Sequence, residues 1–274
     1  MKKFVQFATV MTLLSTASIT AFADVSNGEK GGEKTSNGLV EFFPSSSITD
    51  PKDPEDPNGK PDPENPETPW DPKDPENKPE PGTKGPLSID FASNLNFGEN
   101  KITNEDETYF ARAQNFYDKD GKVTKVRPNY VQISDNRGTN AGWTLTVRQE
   151  GQFKAEKKTL NSELKNAVIT LKAPNVQSNS NATKPEAAKE IVLNPSKVES
   201  PVMSAANEAG AGTWTNDWGT VEEVTEMNKK GEEVKANVTK EVTLDVPGST
   251  SKDAVKYATK LTWILSDQPG NAEA

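Results

Sequence analysis

Neither cysteine nor histidine occurs in the 274 residues. That double absence excludes a Ser-His-Asp triad, a Cys-His nucleophile pair, an ordinary zinc site, a disulfide and a lipid-modified cysteine. No catalytic residue, metal or cofactor is expected. Aromatic residues make up 7% and hydrophobic residues 32% of the chain, so the core must be modest. Beyond the amino terminus no apolar run approaches the roughly 20 residues that cross a bilayer, and no membrane span is expected. Positive charge is also short, with 32 Lys and Arg against 41 Asp and Glu and a net charge of −9. No nucleic-acid partner suits so acidic a chain. Paired carboxylates held about 5–10 Å apart could still hydrolyse a glycosidic bond. Solvated acids scattered through the chain name no such pair, and the protein is read as non-enzymatic.

What is present begins with an export signal. Lys2 and Lys3 precede an apolar run centred on Val10 to Leu14, and Ala21-Phe22-Ala23 supplies small residues for cleavage, so residues 1–23 are set apart from the fold. Losing those two lysines takes the net charge from −9 to −11. The hydrophilic end Asp267 to Ala274 carries no sortase signal or hydrophobic tail, so retention at a surface would be non-covalent.

Residues 24–50 form a polar segment in which Gly38 to Phe43 has the composition of a short strand. From Pro51 to Pro86 stand 12 of the 20 prolines, spaced by ten acids and five lysines. Proline fixes its own φ and disfavours helix in the residue before it, so this tract is expected to be extended. At roughly 3.1 Å per residue it could reach about 110 Å as polyproline II. It serves either as a spacer or as an insertion whose 38–43 end returns to pair with the main domain. Trp70, alone among the prolines, is expected to be solvated or loosely packed.

Residues 87–274 read as one mainly β domain. Short runs, among them Leu87 to Phe91, Tyr130 to Ser134, Trp143 to Gln149 and Val238 to Val246, alternate with turn residues, which predicts an antiparallel β-sandwich or related β-rich domain. Ser162 to Ala167 and Ser204 to Ala209 are the best helix candidates, and Pro174 to Pro185 reads as a solvated loop. Asp118-Lys119-Asp120-Gly121 resembles the start of a calcium loop, but the twelfth position is Asn129 rather than glutamate, so a hairpin turn is expected there.

Two triplets stand out: Trp143-Thr144-Leu145 and Trp263-Ile264-Leu265, the second followed by Ser266-Asp267-Gln268-Pro269. With Gly85-Pro86-Leu87-Ser88-Ile89-Asp90-Phe91, Phe97-Gly98, Gly212-Thr213-Trp214 and Leu244-Asp245-Val246-Pro247-Gly248 in order, the chain resembles the WxL-domain proteins of the surface of low-GC Gram-positive bacteria. The resemblance implies a secreted, cell-surface protein attached non-covalently to the cell wall, with peptidoglycan as ligand. Other WxL proteins and WxL-interacting surface proteins are the implied partners. The alternative is an adhesin or docking module for another surface protein or a host matrix protein.

Strand periodicity puts Trp143, Leu145 and Val147 on one face and Leu261, Trp263 and Leu265 on another, which predicts a core row with the two signature rings close together. Direct ligand contact by these rings is the competing reading. Thr144, Thr146, Arg148, Thr262, Ile264 and Ser266 fall on the opposite faces, as a solvated surface or as hydrogen-bonding groups for a sugar or peptide stem. Trp214, Asn216, Asp217 and Trp218 combine aromatic faces with short polar groups, which suits a saccharide contact as well as a well-packed loop.

Overall fold

The computed structural model describes residues 34–74 and 78–270, so the expected export signal lies outside the described residues. The chain divides into an N-terminal unit ending at Glu41 and a second unit beginning at Phe42. The described part of the first unit is exposed and forms no strand. The strand expected over 38–43 does not form: Leu39, Val40, Phe42 and Phe43 are 100%, 71%, 88% and 88% exposed. So short a segment has no pairing partner unless it borrows an edge, and Pro44 ends any continuation.

The second unit is all-β, with no helix among the described residues. Its strands are Leu87–Ala92 (β1), Glu107–Arg112 (β2), Gln114–Tyr117 (β3), Val123–Arg127 (β4), Tyr130–Asp135 (β5), Trp143–Gln149 (β6), Lys154–Ala155 (β7), Val168–Lys172 (β8) and Pro174–Ser178 (β9). They continue as Glu186–Ala187 (β10), Glu190–Val192 (β11), Glu199–Ala205 (β12), Gly212–Trp218 (β13), Val221–Met227 (β14), Glu233–Val246 (β15), Tyr257–Ala258 (β16) and Leu261–Ser266 (β17). Three antiparallel sheets carry the fold, in the orders β1-β5-β13-β9, β10-β12-β6-β17 and β11-β8-β15-β14, with β2 also on β15.

The inner faces of all three sheets meet in one core. Trp143, Leu145, Val147, Ile133, Ile169, Leu171, Trp218 and Val242 are members, and Trp263 and Leu265 lean on it. β6 shows why: its residues alternate between buried and partly exposed, as the sequence pattern predicts. β5 differs, because all six of its residues are buried. Val131 and Ile133 enter the main core, while Tyr130 joins Phe91 and Phe116 in a smaller cluster on the opposite face, with Trp70 against it.

That opposite face is covered by the proline tract. Pro54, Pro57 and Pro69 are buried. Gln132 accepts from Lys52 N at 2.6 Å and donates to Asp50 O at 3.1 Å, so its amide holds the tract by backbone bonds that need no particular side chain. Asp53 takes a two-point bond from Arg127 at 2.6 and 2.9 Å, and Glu67 pairs with Lys125 at 2.7 Å. Trp70 lies on Phe91 with centroids 6.4 Å apart, and Lys78 Nζ sits 5.4 Å from its ring centre.

Three local expectations are corrected. Ser162 to Ala167 is a turn with an isolated bridge at Glu163, and Ser204 to Ala209 runs from the end of β12 into a turn, so neither is a helix. Pro174 to Ser178 is a strand pairing with β13, hidden in the sequence because Val176 is its single buried residue. The hairpin at Asp118 to Gly121 forms: Asp118 Oδ1 accepts from the amides of Asp120 and Lys122, and Gly121 takes φ +71°.

Candidate functional site

The two signature triplets are neighbours. β6 and β17 pair antiparallel with Leu265 opposite Leu145 and Trp263 opposite Val147, so the leucines face each other and the tryptophans flank them on opposite sides. Trp143 and Leu145 are fully buried. The Trp143 indole donates to Gly210 O at 3.0 Å, and its ring leaves no space at Gly210, where a Cβ would fall 2.5 Å from Trp143 Nε1. Trp263 is partly exposed, as is every residue of β17, because β17 is an edge strand. Its ring meets Trp218 at 6.0 Å between centroids and packs against the core that holds Trp143, so both signature rings belong to one core.

The segment Trp214 to Trp218 is not a loop but the interior strand β13, between β5 and β9. Trp214, Asn216, Asp217 and Trp218 are exposed by 3%, 0%, 1% and 1%. Enclosed to that degree, they offer no ring face or hydrogen-bonding group to a saccharide, and the expectation of a ligand contact here is corrected. Alternation sorts them: Trp214 and Trp218 enter the main core, while Asp217, opposite Tyr130 in β5, faces the proline tract.

Under the tract the outer face of this sheet is polar. Asp90 accepts from Ser88, Gln132 and Ser134 at 2.7, 2.9 and 2.7 Å, yet burial still raises its carboxyl above the ordinary range. Burial pushes Asp217 up to about 7, opposed by a hydrogen bond from Asn175 and reinforced by the charges of Glu55 and Asp53. Burial also drives Tyr130 well above the usual phenol range. Asp53 behaves oppositely: burial alone would raise it, but the hydrogen bond and charge of Arg127 hold it low. Composition could have hinted at this clamp, because Lys122, Lys125 and Arg127 form the basic patch that an acidic proline tract would seek.

The outer face of the signature strands is partly exposed, and at one end the chain returns over it, with Thr144 donating to Gln268 O and Gly270 N donating to Ala205 O, each at 3.0 Å. Three cross-strand rows span β12, β6 and β17: Ser204–Thr144–Ser266, Pro201–Thr146–Ile264 and Glu199–Arg148–Thr262. Arg148 Nε donates to Glu150 at 2.9 Å, Thr262 donates to the same carboxylate at 2.7 Å, and Thr146 donates to Glu199 at 2.8 Å. These hydrogen bonds fix a shallow platform of hydroxyls and paired charges without removing it from solvent. Elsewhere, open grooves of about 390 and 410 Å³ flank Ile102 and Thr103, lined by Tyr109 and Met227 on one side and Ser249 to Lys252 on the other. Among the described residues no cluster of acids could hold a metal ion, and no helix is long and apolar enough to cross a membrane.

Compared with known families, residues 29–269 match the WxL domain, described as surface and cell wall-binding. No curated protein and no solved structure matches the chain.

Proposed function

The chain belongs to the WxL family of surface, cell wall-binding domains, and we propose that it grips the wall through the polar platform of β12, β6 and β17, with peptidoglycan as the ligand. One observation carries this reading: the strands that turn the signature residues towards the core on one face present Thr146, Arg148 and Thr262, partly exposed, on the other. Hydroxyls and an Arg–Glu pair match the hydroxyls, amides and carboxylates of a glycan strand with peptide stems. The binding is non-enzymatic. The chain has no histidine or cysteine, and the acids whose neutral form burial favours, Asp90 and Asp217, are enclosed.

Charge is not the adhesive. A chain of net charge −9 is repelled by an anionic polymer, so retention rests on shape and hydrogen bonds, and moderate salt leaves the protein on the wall. The test is sedimentation with purified, protein-free sacculi. Wild type should co-sediment, and Arg148→Ala with Thr262→Ala should reduce binding at least about tenfold at unchanged melting temperature. Unchanged binding by that folded double variant refutes the platform. Binding that vanishes once wall proteins are stripped points to the docking alternative, in which a surface or host matrix protein is the ligand. Participation in a surface complex with other WxL proteins or WxL-interacting proteins belongs to this proposal.

A further inference from the structure

The proline tract lies as a strap across the outer face of β5 and β13, and that face carries a group the strap does not satisfy. Asp217 is 1% exposed. Its Oδ2 accepts from the Asn175 amide at 3.3 Å, while its Oδ1 has no hydrogen-bond partner. Neither has the hydroxyl of Tyr130, which stands opposite Asp217 in the ladder. Among the described residues no cation acts on Asp217, and the charges that do, those of Glu55 and Asp53 in the strap, are both negative.

The two bases of β4 are engaged by the strap itself. Arg127 takes Asp53 on two nitrogens and Glu55 on a third at 3.1 Å, while Lys125 holds Glu67 at 2.7 Å and Asp53 at 3.4 Å. Nothing else on the face offsets a new negative charge. Burial keeps Tyr130 a neutral phenol, and Asp90 on β1, bound by Ser88, Gln132 and Ser134, is itself an acid that burial holds towards its neutral form. A buried carboxylate with neither cation nor water is far costlier than the buried acid. Once ionised, Asp217 regains water only if the strap moves.

We propose that residues 50–57 form a proton-locked cover, closed while Asp217 carries its proton and lifting from β5 and β13 when it ionises. The cover is built to move alone. None of these residues belongs to a strand, and it is held by two backbone bonds to the Gln132 amide, by the Asp53 clamp and by the buried Pro54 and Pro57. Lifting admits water to Asp217 and carries Asp53 and Glu55 away from it.

The sign of the response follows from the two forms. Closed, Asp217 loses its proton at about 7, against 3.8 for an ordinary carboxyl. Closure is firmest below about pH 4, weakens as pH rises to about 7 and weakens no further above that. The clamp does not fail on the acid side of this window: burial opposes it, but the hydrogen bond and charge of Arg127 keep Asp53 below its ordinary range. Glu67 and Asp53 hold Lys125 and Arg127 above theirs, so both bases stay charged throughout.

Hydrogen exchange of the full chain, read at about pH 4.5 and about pH 7.5 after correction for intrinsic rates, tests the lock. The reporter is the Lys52 amide, which donates to Gln132, and the amides of β6 report global unfolding. Lys52 protection should fall at least about tenfold between the two pH values, and at the higher one Lys52 should exchange at least about tenfold faster than β6. Asp217→Asn, which cannot ionise, should keep Lys52 protected at both, with β6 no less protected than in wild type. Equal Lys52 protection at both pH values refutes the lock, and so does exchange in step with β6, which would make the change a global one. Those two outcomes need no variant. A response that persists in Asp217→Asn refutes the assignment to Asp217.

Discussion

Trp143→Ala is the most informative single change. The ring is fully buried among Leu145, Val147 and the small residues around Gly210, and its indole N–H has a backbone partner at 3.0 Å. Truncating a buried tryptophan costs about 3–5 kcal/mol from lost transfer energy and the cavity left behind. The freed Gly210 carbonyl adds a penalty of about 1 kcal/mol where water cannot reach it. Domains of this size hold about 5–15 kcal/mol in all, so the variant should survive at low temperature yet melt roughly 8–24 °C lower. Trp263→Ala, on a partly exposed edge strand, should cost clearly less. Wall binding by Trp143→Ala, measured well below its melting point, should stay near wild type, since the ring touches no surface. The reasoning fails if Trp143→Ala melts within about 2 °C of wild type while losing the wall. In that event the indole would be a contact and not a scaffold.

Four further outcomes test the same physics. Asp217, at about 7 against an ordinary 3.8, binds its proton more tightly folded than unfolded. The contribution of Asp217 to stability should therefore be full below about pH 4, fall by a few kcal/mol as pH rises from there to about 7, then level off. Asp217→Asn should flatten most of that limb in urea midpoints and be more stable than wild type at pH 8, leaving a residue from Asp90, which shifts in the same direction. Asp53→Ala should loosen the proline tract, costing about 1.5–3 kcal/mol for a charged hydrogen-bond pair and increasing limited proteolysis over residues 50–70. Gly210→Ala, at φ +74° with a Cβ 2.4 Å from that of Ala205, should cost at least about 1–2 kcal/mol in chemical denaturation. Bound wild type should resist elution from sacculi by about 0.5 M salt, where exposed charge pairs are largely screened.

The legible strands were those with one wet face. β6 alternates cleanly because Thr144, Thr146 and Arg148 are partly exposed between buried residues, so its boundaries and inward row could be written down directly. β13 defeated the same logic. Its inward side carries Asn216 between two tryptophans, its outward side carries Thr215 and Asp217, and both sides are buried, so no contrast in polarity remained. An Asn-Asp pair beside tryptophans has the composition of a sugar site, and only the covering proline tract shows that these groups face inward. β9 was missed for another reason: it is a sheet edge on which Asn175 is exposed, Gln177 is half-buried and only Val176 is buried, too little apolar pattern to mark a strand. The clamp of Asp53 on Arg127 joins residues 74 apart, beyond the reach of local pattern.

Scaffold and platform are bound by strand register. Because side chains alternate, a slip of one residue between β6 and β17 would exchange Trp143 and Leu145 for Thr144 and Thr146, ruining core and platform together. Leu265 facing Leu145 resists that slip, and so does the irregularity in β12 between Pro201 and Met203, which sets the third strand against β6. Two variants separate the roles. Leu145→Ala should lower stability by about 2–5 kcal/mol with wall affinity per folded molecule intact. Thr146→Val keeps the shape and β-propensity of the position but removes the hydroxyl that donates to Glu199. It should leave melting nearly unchanged while weakening the wall complex. If both variants lost stability and binding in parallel, platform and core could not be distinguished by chemistry, and the assignment of the wall contact to this face would fall.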